Sequence, residues 1–82
     1  MTEDLSSQAP ELSYGRKAVG LTFNPSGKPD VDYQKKLYAA IIDDLANKRS
    51  ETTDPEAKRL YSIAITEAQT AQMWAVKAIT WK

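Results

Sequence analysis

The fold of this chain is decided by residues 53–81, TDPEAKRLYSIAITEAQTAQMWAVKAITW. The first four residues are a helix start signal, which can be read in two ways. Either Thr53 forms a capping box with Glu56, or Asp54 caps the helix and Pro55 takes its first position. No glycine or proline follows Pro55. The pattern therefore predicts one C-terminal helix of about 25 residues, about 40 Å long at a rise of about 1.5 Å per residue.

The predicted C-terminal helix carries two apolar faces. One is narrow and built from small side chains, with Leu60 at its head; its members are Ala64, Ala68, Ala71, Ala75 and Ala78. The second lies alongside it and comprises Tyr61, Ile65, Met73, Val76 and Ile79. A helix with one intrachain partner buries one such face, so the other predicts association with further copies of the chain.

A second helix is predicted from Tyr33 to about Lys48. Its apolar side chains recur every four residues in two neighbouring rows, which indicates a helical period; they are Leu37, Ile41 and Leu45, and Tyr38 and Ile42. Pro29 stands just before or at its start, where the missing N–H costs least. Its ends carry charges in the order that the helix dipole favours, namely Asp30 and Asp32 first, and Lys48 and Arg49 last.

The two helices, joined by the polar residues 49–53, predict an all-α fold in the form of an antiparallel helical hairpin. Residues 14–29 are predicted to be a loop with a short extended piece at residues 18–23, and residues 1–13 an N-terminal arm without a clear period. The domain organisation is thus an arm, residues 1–13, followed by one hairpin domain, residues 14–82. Because a hairpin of this size buries a small core, we expect a compact homo-oligomer.

Composition narrows the function classes. The 82 residues include 11 basic and 11 acidic side chains and neither histidine nor cysteine. The chain therefore lacks the commonest general base, the commonest metal ligand and a thiol nucleophile, so we expect no enzymatic activity, no metal and no cofactor. A balanced charge argues against DNA as a partner. No apolar run is long enough for a membrane span, so we expect a soluble, cytoplasmic protein without a membrane partner.

Residues 14–30 concentrate all three glycines and three cations ahead of the first predicted helix. Backbone N–H groups, a hydroxyl and a lysine near a helix N-terminus suit a phosphate. The candidate phosphate-binding residues are Asn24, Ser26, Gly27 and Lys28. The same residue types also suit a plain turn that binds nothing. The stretch is not a phosphate-binding loop of the Walker A type, because Pro29 stands where a metal-binding hydroxyl is needed.

An aromatic ring and three further cations are candidates whose roles the spacing leaves open. Tyr14 can stack on a base while Arg16 and Lys17 neutralise phosphate. Equally, Tyr14 can pack over the hairpin. Arg59, one turn into the C-terminal helix, can form a salt bridge with Glu56 or reach an anion.

Trp74 and Trp81 lie seven residues apart and share one helix face, with Lys77 between them. Core or interface packing accounts for such a pair, and so does a surface that docks onto another protein. The carboxylates Asp43 and Asp44 are interpreted as solvated charge, because their pairing does not indicate an acid–base dyad.

Two longer strings are more specific than any of these motifs: GRKAVGLTFNPSG at residues 15–27 and SIAITEAQTAQMWAVKAITW at residues 62–81. They resemble the phage anti-CBASS sponge family, which shares a hairpin domain with a phage anti-Thoeris sponge. The resemblance covers most of residues 14–82. It implies an all-helical homohexamer of interlocked hairpins in the cytoplasm of the infected bacterial host. Such proteins bind cyclic oligonucleotides made by bacterial CD-NTase enzymes, such as 3′,3′-cyclic GMP–AMP, without cleaving them.

The resemblance also implies roles for particular residues. Family members are similar in stacking a tyrosine on a base and placing a lysine on phosphate, in pockets shared between subunits; Tyr14 and Lys28 match these best. Some members take cyclic trinucleotides in a second pocket that an arginine of the long helix helps to form, and Arg59 is the candidate for it. The loop residues expected to shape the pocket are Asn24, Ser26 and Gly27, and the auxiliary cations are Arg16 and Lys17.

Two rival functions remain open on the sequence. The first is a helical hairpin that docks onto another protein through its Trp74–Trp81 face and has no nucleotide ligand. The second is a phosphodiesterase that degrades the nucleotide signal. The absence of histidine, and of clustered carboxylates for a metal pair, argues against the second.

Overall fold

The computed structural model describes residues 12–82, and within them the chain is helical and has no strand. Three helices follow one another: α1 (Tyr14–Ala18), α2 (Pro29–Glu51) and α3 (Pro55–Ile79). α2 packs against both α1 and α3. The predicted all-α fold is confirmed. Of the predicted N-terminal arm, residues 1–13, only residues 12 and 13 are among the described residues.

Lysine side chains at both ends of the α2–α3 hairpin bind helix carbonyls. Near the segment that connects α2 to α3, the Lys58 ammonium donates to the Arg49 carbonyl over 3.0 Å. At the other end, the Lys28 ammonium donates to the Ile79 carbonyl over 3.1 Å. Carbonyls at the C-terminal end of a helix lack a partner within the helix and lie at its negative pole, so cations are favoured there. The two contacts lie at opposite ends of the hairpin, in which α2 and α3 are antiparallel, as predicted.

α2 is longer than its apolar rows predict. It begins at Pro29, which takes the first helical position, rather than at Tyr33, and it ends at Glu51. Its end turns carry the predicted charges, Asp30 and Asp32 first, and Lys48 and Arg49 last. Charge and proline signals therefore locate the ends of this helix better than the apolar period does.

α3 begins in the second of the two predicted ways. The Asp54 carboxylate accepts the Glu56 backbone N–H over 3.0 Å, and Pro55 takes the first helical position. The Glu56 carboxylate, which a capping box would need, accepts from the Arg59 guanidinium instead. The alternative in which Thr53 caps the helix is therefore wrong.

Asp54→Ala is expected to lower the free energy of unfolding by about 1 kcal/mol, the usual cost of removing an N-cap side chain. Thr53→Ala is the matched control, because Thr53 is exposed and its neighbour is the cap. Urea denaturation followed by circular dichroism measures both variants. An equal or larger loss in Thr53→Ala would contradict this assignment of the cap.

The loop predicted for residues 14–29 is confirmed at residues 19–28, whereas the prediction is wrong for residues 14–18 and for the extended piece at residues 18–23. Residues 14–18 form α1, and residues 19–22 are turns. The Ser13 hydroxyl caps α1 by accepting the Arg16 N–H over 3.2 Å. A five-residue helix is unstable by itself, because the first helical turn is costly to form. Its stability comes from packing on α2, which a local sequence pattern does not reveal.

α1 approaches α2 most closely at Gly15. The Gly15 N–H donates to the Asp43 carboxylate over 2.7 Å, so the interpretation of Asp43 as solvated charge is wrong. A Cβ atom at this position would lie 2.2 Å from the Ala39 carbonyl oxygen. Glycine is therefore required for the two backbones to meet. The neighbouring Asp44 pairs with exposed Lys48, and this hydrogen bond raises the pKa of Lys48.

The core of the described residues is small and centres on α2. Its buried apolar residues are Val19, Val31, Ala39, Ile42 and Ile65. Leu37 and Ile41, from the row that predicts the helix, are 44% and 50% exposed. The face of α2 that α1 and α3 cover is therefore a different one, which passes through Ala39 and Ile42.

Large apolar side chains are exposed along the whole described chain. They are Tyr14, Phe23, Tyr33, Leu37, Ile41, Leu60, Ile63, Met73, Trp74 and Trp81. Single exposed apolar residues are normal in soluble proteins, but an extensive exposed set marks an interaction surface. Residues 12–82 of one chain therefore leave a large part of their apolar surface exposed.

Candidate functional site

The loop between α1 and α2 is a turn that the side chain of Asn24 closes. Its amide oxygen accepts from the Ser26 hydroxyl over 2.7 Å and from the Gly27 N–H over 3.2 Å. Its amide nitrogen donates to the Lys28 carbonyl over 3.0 Å and to the Asp32 carboxylate over 3.1 Å. The turn is therefore preformed, and it brings the four predicted loop residues together.

The turn has an open outer face at Gly27. The φ of Gly27 is 67°, in the left-handed region that favours glycine, and nothing lies within 4 Å of where a Cβ atom would stand. Two backbone donors of the turn are nevertheless engaged, because the Gly27 N–H donates to Asn24 and the Lys28 N–H donates to the Ser26 hydroxyl over 3.1 Å. A phosphate bound at this turn would therefore rely on the Lys28 ammonium rather than on these two N–H groups.

Beside the turn lies a cavity of about 250 Å³. It is lined by residues 23–26, by Val31 and Lys35 of α2, and by Val76 and Thr80 at the end of α3, and most of its wall is apolar. Pockets for whole small molecules measure about 300–1,000 Å³. This cavity therefore has the size for one group of a ligand.

Lys35 belongs to this site, although no pattern considered above identifies it. It is 5% exposed, and its ammonium donates to the Gly20 carbonyl over 2.9 Å and to the Phe23 carbonyl. The ammonium also lies 5.6 Å from the centroid of the Phe23 ring. Val31, Lys35 and Ala39 follow one another every four residues, and this row becomes a signal for Lys35 only when the structure shows that the row is buried.

Tyr14 and Lys28 lie far apart along α2. The Tyr14 ring is 51% exposed, with the Arg49 guanidinium 5.8 Å from its centroid. Arg49 lies in the last turn of α2, whereas Lys28 directly precedes the first. α1 meets α2 at Asp43, which binds Gly15 and lies 15 residues beyond Lys28, so the separation along α2 is about 22 Å. Within one chain the structure therefore does not bring these two predicted site residues together.

The remaining predicted cations are exposed. Arg16 and Lys17 lie on α1. Arg59 forms the salt bridge with Glu56, with nitrogen–oxygen distances of 3.0 and 2.6 Å. This hydrogen bonding lowers the pKa of Glu56 and raises the pKa of Arg59. Because both side chains are 61% exposed, exchanging the carboxylate for another anion costs little.

Trp74 and Trp81 form an open surface on α3 and just beyond it. They are 64% and 72% exposed, and the Lys77 ammonium lies 5.3 Å from the centroid of the Trp74 ring. Packing in the core of this chain is therefore excluded for the pair. Interface packing and docking onto another protein both stay open.

The described residues bring together cations, amides, hydroxyls and apolar surface. These groups can bind a ligand through charge, hydrogen bonds and apolar contact. Within residues 12–82 no group of three histidine, cysteine, aspartate or glutamate side chains is placed to hold a metal ion. None of the helices in the same range has both the length and the apolar character needed to cross a bilayer.

A family model described as Acb2/Tad1, hairpin domain, matches residues 16–80, which is most of the chain. The chain belongs to the Acb2/Tad1 hairpin-domain family. This is the anti-CBASS and anti-Thoeris sponge family, so the resemblance carried by residues 15–27 and 62–81 is confirmed. The Acb2/Tad1 hairpin domain spans the preformed turn, the cavity wall and both long helices. No curated protein and no solved structure matches the chain.

Proposed function

We propose that this member of the sponge family binds cyclic di- and trinucleotides of bacterial CBASS defence and holds them without cleaving them. The effector proteins of the defence system are then deprived of their signal. The chain thereby acts as a phage immune-evasion protein in the cytoplasm of the infected host. The observation that carries the proposal is that the residues matched by the sponge family build the closed turn, Lys28 and the adjoining cavity.

The proposed dinucleotide site is shared between protomers. Tyr14 and Lys28 stand about 22 Å apart along α2, so a ligand that contacts both takes them from two chains. A two-fold contact between protomers supplies two copies of each group. A cyclic dinucleotide has two phosphates and two bases, so it can receive two lysines and two tyrosines in one symmetric arrangement.

Each residue of the proposed site has a distinct role. Lys28 is the main phosphate contact, and the turn of Asn24, Ser26 and Gly27 shapes the pocket around it. Tyr14 stacks on a base, and its half-exposed ring leaves surface for that contact. The auxiliary cations are Arg16 and Lys17, and Arg59 serves the second pocket, for cyclic trinucleotides.

The proposed assembly is a homohexamer. Its support is the apolar surface of the three helices, which stays exposed within residues 12–82 of one chain. Light scattering coupled to size-exclusion chromatography is expected to give a mass of about 55 kDa, six times the 9.1 kDa of one chain. A mass of one chain at micromolar concentration would contradict both the assembly and the shared pocket.

Isothermal titration calorimetry with 3′,3′-cyclic GMP–AMP tests the proposed function. We expect tight binding with fewer than one ligand per chain, because two protomers share each site. Denaturing the loaded protein is then expected to return intact ligand, as the sequence contains neither histidine nor cysteine for catalysis. Recovery of a linear nucleotide would contradict sequestration and favour a phosphodiesterase.

A protein-docking module without a nucleotide ligand is the second candidate. The observation that favours it is the open Trp74–Trp81 surface, since tryptophan is enriched at the centres of protein interfaces. The same calorimetry separates the two candidates. The absence of heat with every cyclic di- and trinucleotide would exclude the sponge and leave docking through this surface.

A further inference from the structure

Lys35 is a buried ammonium without a carboxylate partner among residues 12–82. It is 5% exposed, and the ion pairs of this part of the chain are Lys48 with Asp44 and Arg59 with Glu56. A buried charge is costly unless it is paired. The group that best balances this charge is an anion, and the cavity of about 250 Å³ beside Lys35 is where one can enter.

The other side-chain donors of the cavity wall are already used. Both protons of the Asn24 amide are engaged at the start of α2, and the Ser26 hydroxyl donates to Asn24. The Thr80 hydroxyl donates to a carbonyl of α3 over 2.8 Å. An ammonium has three N–H donors, and two of those on Lys35 go to carbonyls of the preceding turn. Within the described residues the third has no acceptor, so a group that enters the cavity meets a charged donor.

We propose that this cavity is an anion subsite in which the Lys35 ammonium binds an oxygen of a phosphate ester. The apolar wall, with Val31 and Val76, lowers the local dielectric and strengthens the attraction. The hydrogen bonds to the Gly20 and Phe23 carbonyls hold the Lys35 ammonium in place, so the lysine side chain loses little conformational freedom when the phosphate binds. The volume suits one phosphate with part of its sugar or base. Lys28 is not among the residues that line this cavity, and its ammonium binds the Ile79 carbonyl instead.

The proposed function supplies the identity of this ligand, since a cyclic oligonucleotide presents phosphate esters to the assembly. Any phosphate ester that fits the cavity shares the same chemistry. The test therefore uses a cyclic dinucleotide and, separately, inorganic phosphate and 5′-AMP as small probes.

The first measurement is nuclear magnetic resonance of the 15N-labelled full chain, titrated with inorganic phosphate and with 5′-AMP at constant ionic strength. We expect saturable shifts of the Phe23, Ser26 and Thr80 amide signals. These shifts are expected to vanish in Lys35→Met and to persist in Lys36→Met, because Lys36 is the exposed neighbour on α2. Wild-type signals that do not shift with either probe, or that shift equally in Lys35→Met, would overturn the subsite.

A second variant keeps the test decisive if Lys35→Met fails to fold. Val76→Phe adds apolar volume to the cavity wall and leaves the lysine unchanged. It is expected to suppress the shifts that both probes cause. Shifts that persist in a folded Val76→Phe protein would overturn the proposal.

Calorimetry with 3′,3′-cyclic GMP–AMP separates this proposal from the proposed function. Lys35→Met is expected to bind the dinucleotide about tenfold to a hundredfold more weakly than the wild type, and Lys36→Met with unchanged affinity. Equal binding by wild type and Lys35→Met would overturn the subsite and leave the sponge intact. Lys35-dependent phosphate shifts in a chain that binds no cyclic oligonucleotide would support the subsite and overturn the sponge.

Discussion

Lys28→Ala is expected to abolish measurable binding of 3′,3′-cyclic GMP–AMP while the oligomer stays intact. A hydrogen bond to a charged group contributes about 1.5–3 kcal/mol. If a two-fold site uses Lys28 from two protomers, each ligand loses two such contacts. The combined loss of about 3–6 kcal/mol weakens binding roughly a hundredfold to ten-thousandfold. Calorimetry measures the affinity, and light scattering measures the mass.

Lys36→Ala is the matched control for Lys28→Ala. Lys28 directly precedes α2 and Lys36 lies within it, and both are exposed. Each substitution removes one positive charge, so the two variants have the same net charge. Lys28 also donates to the Ile79 carbonyl, and a thermal melt shows whether this exposed contact affects stability. Unchanged affinity in Lys28→Ala would overturn the assignment of this turn as the phosphate site.

Gly15→Ala is expected to lower the melting temperature by about 10 °C or more. The added Cβ atom would lie 2.2 Å from the Ala39 carbonyl oxygen and 2.8 Å from the Asp43 carboxylate, so α1 must move away from α2. Overpacking of this kind costs about 1–3 kcal/mol, and the hydrogen bond from the Gly15 N–H to Asp43 is weakened as well. In a domain of this size, each kcal/mol shifts the melting temperature by about 4–8 °C.

Gly27→Ala is the control that separates crowding from backbone strain. Nothing lies within 4 Å of the Cβ position at Gly27, but its φ of 67° disfavours other residues. The substitution therefore carries only the left-handed penalty, about 1–2 kcal/mol. Differential scanning calorimetry compares the two variants. A smaller loss in Gly15→Ala than in Gly27→Ala would contradict the close approach of α1 to α2.

The sequence predicts the composition of the candidate site better than its geometry. The four loop residues do form one closed turn, because asparagine, serine and glycine have strong local turn preferences. The use of their backbone N–H groups for a phosphate does not follow, since the Gly27 N–H donates to the Asn24 side chain and the Lys28 N–H donates to the Ser26 hydroxyl. For Arg59, spacing left two partners open, and the structure shows Glu56.

Lys35 shows why part of the candidate site cannot be predicted from the sequence. Its partners are backbone carbonyls of Gly20 and Phe23, which any residue type provides, so no motif marks them. Its burial follows from which face of α2 the other helices cover. A lysine in the row of Val31 and Ala39 becomes recognisable as a site residue only when that face is known.

The amino-acid sequence by itself determines the two long helices, their antiparallel hairpin and the family. Helix period, the Asp54 cap and the prolines at both helix starts act over one or two turns, so local order is enough to identify them. The tertiary structure alone decides that residues 14–18 are helical, that α2 buries Lys35 rather than Leu37, and that Tyr14 lies far from Lys28. These features depend on contacts between segments distant in the chain, because packing on α2 both stabilises α1 and selects the buried face.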